Sequence, residues 1–558
     1  EAAARGEIKA LWIACTNPAQ SLPDQALVRA ALEKAEYVVV QEAFGSTATC
    51  AFADILLPAT TWGEKDGTVT NSERRISRVR PAMPAAGQAR HDWAIFTDFG
   101  RRLEQRLPER VQAYRPGTTT LFPYATPESV WVEHRESTRG RDLDITGLSY
   151  AILETQGPQQ WPMPEGASAG QARLYADGRY PTADGRARFA NVAWRATREQ
   201  TDSRYPFALN TGRLRDQWHG MSRTGTLGRL FGHTSEPTID LHPEDLAQLG
   251  LTEGELVRVR SRRGEILIPA VSNAAQARSQ TYIAMHWGEE FVSGVDAQGQ
   301  RLAGVNALTQ PAFCPTSKQP ELKHANVAIE AARLPWHATA MAWLPAEAAL
   351  ALREQLRDLA GEFAFFSCVP FGREPDSQGR VGVALRLAHT AAPAWADLAK
   401  LAQQFGLDGA NVLRFDDEGA HCHRRVAVHQ APDSEELRLQ AFLLTGDTRA
   451  TAWLRPLLQD DQAVQELGAL LLHPSASAPV KVAGAGKQVC TCFNVTEPQI
   501  IGFVQTCPGS DDARLKLLQG ALKCGTNCGS CVPALRKLIR ITPVSPAPDA
   551  DPPQLQAA

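Results

Sequence analysis

The feature that most constrains this sequence is the uneven distribution of its cysteines. The chain contains 11 cysteines, and more than half of them lie in one short stretch near the C-terminus. Those in the stretch are Cys490, Cys492, Cys507, Cys524, Cys528 and Cys531. A secreted disulfide protein would spread its pairs over its domains, and an odd total would leave one thiol unpaired. The clustering predicts a reducing, cytoplasmic compartment and one local metal or cluster site.

Size and composition limit what the rest of the chain does. A length of 558 residues allows about four domains, at roughly 150 residues per domain. Hydrophobic residues make up 43% of the chain and charged residues 21%, so each domain has enough apolar side chains for a core. The net charge of −3 argues against nucleic-acid binding through bulk charge. No apolar run reaches the roughly 20 residues of a membrane span, and we expect neither nucleic acid nor membrane as a partner.

Composition and periodicity divide the chain into six segments. The first alternates short apolar strands with helices, which is typical of a parallel α/β sheet with ligands at the carboxyl ends of its strands. The third alternates strands around one short helix, which favours a barrel. The predicted segments are 1–105 (α/β), 106–200 (irregular connection), 201–332 (barrel), 335–480 (a small α/β or α+β spacer domain), 485–541 (cysteine module) and 542–558 (disordered tail). Because Glu1 runs straight into a strand-like stretch, we expect the C-terminal part of a larger protein.

Four of the clustered cysteines form two close pairs. Cys490 and Cys492 make a C-x-C pair, and Cys528 and Cys531 make a C-x-x-C pair. Each pair lets one short loop supply two sulfurs, and the chain between the pairs has a helical pattern. Four thiolates suit either a structural zinc ion or an iron–sulfur cluster. The spacing alone leaves both open.

The residues around the second pair read Cys-Gly-Thr-Asn-Cys-Gly-Ser-Cys-Val-Pro over 524–533. Together with the C-x-C pair, they make residues 488–541 resemble the bacterioferritin-associated ferredoxin-like [2Fe-2S] domain. The resemblance implies Cys490, Cys492, Cys528 and Cys531 as iron ligands. Cys507 and Cys524 fall outside the matching positions, and ligand exchange with Cys524 stays open. Four basic residues near the cluster would suit either an acidic electron donor or an ordinary solvated helix face: Lys523, Arg536, Lys537 and Arg540.

Three polar segments lie in the first two thirds of the chain, at 53–75, 209–220 and 305–323. The first is rich in Gly, Thr and Asn and carries Lys65, so it offers backbone donors and cations to an anion. Each segment alone would pass for a solvated loop. Their combination and order resemble the molybdopterin oxidoreductases of the dimethyl sulfoxide reductase family over residues 1–332. The resemblance implies part of an α/β molybdopterin core followed by a double-psi β-barrel, and it adds the spacer and the small helical [2Fe-2S] domain as further units.

The resemblance also implies which residues contact two molybdopterin guanine dinucleotides. One guanosine end would meet Asn17, Gln41 and Glu42, with Lys65 facing phosphate and Asp92 reading the base. The second dinucleotide would be held by a longer set, in which Arg213 pairs with pyrophosphate and Trp287 is equally suited to packing. That set is Thr211, Gly212, Arg213, Trp218, His219, Gly220, Trp287, Asn306 and Lys323.

The cofactors implied are molybdenum bis(molybdopterin guanine dinucleotide) and the [2Fe-2S] cluster. The family's [4Fe-4S] motif and its molybdenum-binding side chain do not appear in this sequence, and we expect them in an N-terminal part outside it. No catalytic residue is therefore assigned, and the chain alone is expected to be incomplete as an enzyme.

A molybdopterin core joined to a ferredoxin-like module resembles the assimilatory nitrate reductases. That implies two-electron reduction of nitrate to nitrite, with the [2Fe-2S] cluster taking electrons from a flavoprotein, flavodoxin or ferredoxin. A formate dehydrogenase of the same family is the alternative enzyme, because residues 62–75 suit it nearly as well. A non-catalytic electron-transfer protein is the alternative from another class.

Overall fold

A computed structural model describes residues 1–302, 304–321, 323–372, 379–431, 434–478 and 484–544. Beyond residue 544, the predicted disordered tail lies outside the described residues. In the described ranges no helix has the length and apolar character needed to cross a bilayer.

The chain begins with a three-stranded parallel sheet in the order β1-β2-β3. Its elements are β1 (Ala10–Ala14), α1 (Pro18–Ser21), α2 (Gln25–Lys34), β2 (Tyr37–Glu42) and β3 (Ile55–Pro58). The three strands and their parallel direction agree with the sequence prediction. The apolar runs also predict that all three strands are buried, which is wrong for both edge strands: no side chain of β1 is fully buried, and Ile55 and Leu56 of β3 are 39% and 43% exposed. Only the central strand has fully buried side chains, at Val38 and Val40.

Residues 59–206 add a small antiparallel sheet and four helices. Their elements are β4 (Gly67–Thr70), β5 (Arg75–Val79), α3 (Asp92–Arg106), α4 (Pro108–Tyr114), α5 (Pro127–Glu136), α6 (Tyr150–Thr155) and β6 (Gln159–Gln160). The sequence pattern does not indicate α4 to α6, because these helices bury only a few scattered side chains, such as Val111, Trp131 and Leu153. No described helix or strand lies between residues 161 and 206.

Six strands then close into a barrel in the order β10-β8-β11-β7-β14-β9. They are β7 (Phe207–Gly212), β8 (Ile239–Leu241), β9 (Leu256–Arg260), β10 (Glu265–Ser272), β11 (Gln280–Ala284) and β14 (His324–Ala331), with helix α7 (Pro243–Gln248) between β8 and β9. Two pairs, β10 with β8 and β11 with β7, are parallel, and the other pairs are antiparallel. The predicted barrel is confirmed.

The next region is an eight-stranded antiparallel sheet in the order β13-β12-β16-β17-β15-β20-β19-β18. Its first two strands are β12 (Val292–Val295) and β13 (Arg301–Leu302), which lie between barrel strands β11 and β14 in the chain but pair with this sheet. The others are β15 (Trp336–Pro345), β16 (Phe365–Phe371), β17 (Arg380–His389), β18 (Val412–Asp417), β19 (Cys422–Gln430) and β20 (Leu437–Thr445), with helices α8 (Ala346–Leu356), α9 (Trp395–Gln404) and α10 (Thr451–Gln459). One continuous hydrophobic core joins the barrel to this sheet.

The cysteine module is a short hairpin followed by three helices. It comprises β21 (Gln488–Cys490), β22 (Val495–Thr496), α11 (Glu497–Gln505), α12 (Asp511–Leu522) and α13 (Val532–Ile541). Thr496 caps α11 in a capping box with Gln499, which is why the helix begins there. Leu535, Leu538 and Ile539 of α13 face the module's own small core, as their helical spacing predicts.

Candidate functional site

A cavity of about 470 Å³ lies between the first sheet and the barrel. The strand ends place its polar side chains, because residues 15–17 follow β1, Glu42 ends β2 and Thr211 lies near the end of β7. Ligands of parallel sheets bind at such carboxyl ends. The lining residues are Cys15, Thr16, Asn17, Gln20, Ser21, Glu42, Thr47, Thr211, Trp218, His219, Gly220, Ser222, Arg223, Met285, Asn306 and Lys323.

Most of the sequence-predicted dinucleotide contacts meet at this cavity. Those that line it are Asn17, Glu42, Thr211, Trp218, His219, Gly220, Asn306 and Lys323. Gln41, Lys65 and Asp92 form an adjoining cluster behind Cys15, and Gly212 connects Thr211 to the next loop. Arg213 and Trp287 instead line a second cavity on the barrel. The polar segments that are remote in sequence therefore converge on one cavity.

Lys65, Asp92 and Gln41 are bound to one another. The Lys65 ammonium and the Gln41 amide donate to the two oxygens of Asp92, at 2.8 and 2.7 Å. Partial burial alone would raise the pKa of Asp92, but these two donors outweigh it and lower the pKa. Burial raises the pKa of the neighbouring Glu42. The cluster places a fixed carboxylate and a cation beside the cavity.

Gln20 links the first sheet to the barrel, and the sequence analysis does not identify it. Its amide oxygen accepts from the Asn17 amide at 3.0 Å, and its amide nitrogen donates to the His286 carbonyl at 3.0 Å. The Asn306 amide donates to the Gln20 carbonyl at 2.7 Å. A Cβ at Gly220 would lie 2.5 Å from the Gln20 side chain, which explains why glycine occurs there.

Trp218 lies between two cations at the cavity. The guanidinium carbons of Arg213 and Arg223 lie 5.6 and 5.5 Å from its ring centroid. Within the described residues, neither arginine, nor Lys323, forms an ion pair with a carboxylate. The following His219 adopts a φ of 44°, a conformation that is costly for a side chain other than glycine. This stretch therefore combines backbone strain with cations available to an anionic ligand.

His286 holds that strained stretch in place. Its Nδ1 lies 2.5 Å from the His219 carbonyl, which only accepts, so this nitrogen carries the proton. Its Nε2 then accepts from the Leu214 amide at 2.9 Å. Burial lowers the pKa of His286, which favours the neutral ring that this bonding requires.

The second cavity, of about 700 Å³, extends from the barrel towards the cysteine module. Arg213, Arg215 and Trp287 line it from the barrel side, and Lys487 lines it from the module side. Trp287 is 1% exposed and packs with Phe231 and Phe291. The packing role that the sequence left open for Trp287 therefore has a structural basis.

The four predicted cluster ligands come together as two pairs. The Cys492 and Cys528 sulfurs are 3.3 Å apart, and the Cys490 thiol lies close enough to Cys531 to contribute to the raised pKa of that thiol. Within the described residues, no group of three or more potential ligands surrounds a single point. A tetrahedral zinc ion needs four thiolates around one centre, whereas each iron of a [2Fe-2S] cluster takes two. Two pairs of thiols match the donor set of a two-iron cluster.

The other two cysteines of the module have packing positions. Cys524 is buried, and burial raises its pKa to about 11, which keeps it a neutral thiol. The buried Cys507 thiol donates to the Phe503 carbonyl at 3.3 Å. Gly525 and Gly529, beside the second pair, both have positive φ, which lets the loop turn tightly around the sulfurs.

Two of the four basic residues near the cluster are paired with α12. Arg536 lies 2.7 Å from Asp512, and Arg540 lies 3.6 Å from Asp511. These acids lie in the first turn of α12 and reduce the positive charge of this face.

Comparison with known proteins agrees with this geometry. Three family profiles match the chain: molybdopterin oxidoreductase at residues 1–102, molydopterin dinucleotide binding domain at 207–326 and BFD-like [2Fe-2S] binding domain at 488–541. Residues 1–102 and 207–326 are thus similar to the molybdopterin oxidoreductases and their dinucleotide-binding domain, and residues 488–541 are similar to a BFD-like [2Fe-2S] binding domain. The chain's cofactors are accordingly molybdenum bis(molybdopterin guanine dinucleotide) and a [2Fe-2S] cluster.

Individual relatives narrow the comparison. A nitrate reductase of Klebsiella oxytoca is 33% identical over 96% of this chain and 56% of its own length. The assimilatory nitrate reductase catalytic subunit of Bacillus subtilis is 30% identical over 58% of this chain and 43% of its own length. The F420-dependent formate dehydrogenase subunit alpha of Methanocaldococcus jannaschii is 33% identical over 58% of this chain and 42% of its own length. The chain thus spans about half the length of the curated relatives it matches.

The residues present fit both cofactors. Arg213, Arg223 and Lys323, which have no carboxylate partner in the described ranges, match the charge of a pyrophosphate. Four thiols in two pairs match the donor set of a two-iron cluster.

Proposed function

We propose that this chain is the dinucleotide-binding and cluster-bearing portion of a molybdenum-dependent nitrate reductase. The reaction is NO3− + 2H+ + 2e− → NO2− + H2O. One observation carries the proposal: the barrel segment that lines the cofactor cavity, residues 211–220, also contacts the loop that holds two cluster cysteines. Dinucleotide binding and electron entry thus share one piece of chain.

The residues of the cavity bind and orient the dinucleotides. Arg223 and Lys323 in the cavity, together with Arg213 on the neighbouring second cavity, neutralise phosphate. Asn17 and Asn306, both held through Gln20, fix the position of the nucleotide ends. When bound, the molybdenum cofactor supplies the two-electron oxygen-atom chemistry. The site residues proposed from the sequence keep these roles, with Gln41, Lys65 and Asp92 acting as one preorganised cluster.

The cysteine module delivers electrons one at a time. Cys490, Cys492, Cys528 and Cys531 hold the cluster, which accepts single electrons from a flavoprotein, flavodoxin or ferredoxin in the cytoplasm. The barrel with its two parallel strand pairs is of the double-psi type in this proposal. The proposal keeps the segment limits deduced from the sequence, with two changes: the connection at 106–200 contains helices α4 to α6, and β12 and β13 connect the barrel segment with the larger sheet.

The alternative of a formate dehydrogenase has a specific basis, since two relatives of that name each match 58% of this chain. The Klebsiella oxytoca nitrate reductase match extends over 96% of the chain. Nitrate is the better-supported substrate for that reason.

Because this chain spans about half the length of its relatives, the test uses the full-length holoprotein, reduced with dithionite under anaerobic conditions. Nitrate should reoxidise the cluster and yield one nitrite for every two electrons removed. Formate should leave an oxidised cluster unreduced. A cluster that formate reduces and nitrate does not reoxidise would replace the proposed reaction by the formate alternative. A cluster inert to both would favour the non-catalytic electron carrier.

A further inference from the structure

Arg215 and Asp216 form a charged pair between the barrel and the cysteine module. Both follow β7 and precede the cavity-lining Trp218. Their side chains are only 18% and 12% exposed. Arg215 Nε and Nη2 donate to the two carboxylate oxygens of Asp216 at 3.0 and 2.8 Å, which makes the pair bidentate.

The pair also binds the first cysteine loop directly. Arg215 Nη1 donates to the Val489 carbonyl at 2.8 Å, and Nη2 donates to the Thr491 hydroxyl at 3.2 Å. The same hydroxyl donates to Asp216 at 2.8 Å. Thr491 lies between Cys490 and Cys492, so one arginine–aspartate pair holds the loop that carries two cluster ligands.

A second close contact, between Gly232 and Gln488, joins the cysteine module to the region of the barrel. A Cβ placed on Gly232 would lie 2.0 Å from the side-chain oxygen of Gln488. Gln488 is 1% exposed and lies two residues before Cys490. The position of the cysteine loop is therefore fixed from two directions.

Both charges of the pair lie beside the first cysteine loop. The hydrogen bonds of Arg215 to Val489 and Thr491 place its guanidinium against the loop that carries Cys490 and Cys492. Asp216 reaches the same loop through the Thr491 hydroxyl. A change of either charge should therefore alter the electrostatic potential at the cluster ligands.

We propose that Arg215 is a positioning residue that sets the reduction potential of the [2Fe-2S] cluster while fixing its loop to the segment that lines the cofactor cavity. The inference rests on the proposed function only in requiring that iron, not zinc, occupies the module. A two-iron cluster with four thiolates is already negative, and reduction adds one further negative charge. A buried cation beside it stabilises the reduced form, and a buried anion opposes it.

The test is a redox titration of the full chain, followed by electron paramagnetic resonance. Arg215→Gln should move the midpoint potential of the cluster to more negative values, and Asp216→Asn should move it to more positive values. Arg215→Lys keeps the charge and should stay close to the unmodified chain. The matched control is Arg263→Gln, which breaks another buried arginine pair on the barrel, with Glu199, away from the module.

The opposite signs separate this role from a purely structural one. A structural role would lower iron content in both variants, or leave the potential of both unchanged where the cluster is retained. If Arg215→Gln fails to retain iron, the titrations of Asp216→Asn and Arg215→Lys decide whether the charges of the pair set the reduction potential. Unchanged potentials with two irons per chain would overturn this inference and leave the proposed function intact, whereas zinc in place of iron would overturn both.

Discussion

The cysteine module and the dinucleotide cavity are built in opposite ways. The four cluster ligands lie within residues 490–531, on a hairpin and three helices with their own core. The cavity takes side chains from stretches as far apart as Cys15 and Lys323, joined by hydrogen-bonding side chains such as Gln20 and His286. A local site depends on one small fold, whereas a site assembled across units depends on every junction between them.

The largest expected effect tests whether the two sites are independent. Cys490→Ser should abolish the [2Fe-2S] resonance signal and remove most of the iron, because a ligand thiolate is lost. Guanine nucleotide content should stay unchanged, as measured by acid release and chromatography. Cys507→Ser is the matched control and should retain iron. Loss of nucleotide together with iron in Cys490→Ser would show that the cavity is not an independent unit.

The next largest effect should be a loss of stability on substitution at the junction between the barrel and the large sheet. Glu236 accepts from Arg386 and Arg455 at 2.8 and 3.0 Å. Burial would raise its pKa, but the two arginines lower the pKa to about 2. Glu236→Gln leaves both cations without a charged partner and should lower the free energy of unfolding by about 3–5 kcal/mol.

Chemical denaturation at neutral pH measures this loss, with the exposed Glu244→Gln as its control. Because the folded pKa lies below the usual 4.5, the contribution of Glu236 should disappear as the pH falls from about 4.5 towards 2. Equal stabilities of Glu236→Gln and Glu244→Gln would contradict the importance of this junction.

The contact of Glu290 with Arg357 should give a dependence of stability on pH opposite to that of Glu236. Glu290 lies 3.2 Å from Arg357, which also donates to the Ser46 carbonyl at 2.7 Å and so joins three parts of the chain. Burial raises the pKa of Glu290 to about 7. The unfolded chain ionises first, so stability should fall between about pH 4.5 and pH 7, by about 3 kcal/mol.

Glu290→Gln should remove most of that slope in denaturation curves measured across the same pH range. The Glu244→Gln variant again serves as the control and should keep the slope. An unaltered slope in Glu290→Gln would mean that Glu290 is not the group responsible.

A smaller effect should follow from Gln20→Ala. The substitution removes the bonds to Asn17 and to the His286 carbonyl, and the unsatisfied groups cost about 1–3 kcal/mol. Guanine nucleotide retention should fall, while the iron content of the module stays unchanged. Gln440→Ala, which removes a comparable amide bond to the Trp343 carbonyl in the large sheet, should leave nucleotide retention intact. Full retention in Gln20→Ala would argue against its role at the cavity.

The smallest effect concerns delivery of electrons to the module. Lys537→Glu combined with Arg540→Glu should slow reduction by an acidic donor at low salt, with little difference at high salt. The slowing should be modest, because Arg540 already lies beside Asp511. Stopped-flow reduction measures it, and Arg102→Glu on the distant α3 is the control. Identical rates for the two variants would remove the steering hypothesis.

The same contrast explains what the sequence could predict. The module's ligands and helix starts are predictable because spacing, Thr496 and Pro533 act within a few residues. The three strands of the first sheet follow from short apolar runs, and the barrel follows from apolar alternation; both signals are also local. The exposure of Ile55 and Leu56 could not be predicted, because an apolar run does not reveal whether another element covers it.

The cavity could be predicted only in part, and only by resemblance. Asn17, Thr211 and Lys323 lie where the family resemblance places them, on the lining of one cavity. Gln20, Arg223 and His286 carry no local signal, because their roles arise from contacts with residues far away in the chain. Arg215 is missed for the same reason, since its partners in the cysteine module lie more than 270 residues further along.

The most direct test of the central claim, one dinucleotide cavity and one cluster on the same chain, is a count of metals and nucleotides in the purified holoprotein. The account predicts molybdenum, two guanine nucleotides and a two-iron cluster per chain, with nucleotide lost when Lys323 and Arg223 are both replaced by Ala. Iron without guanine nucleotide, or zinc in place of iron, would contradict it.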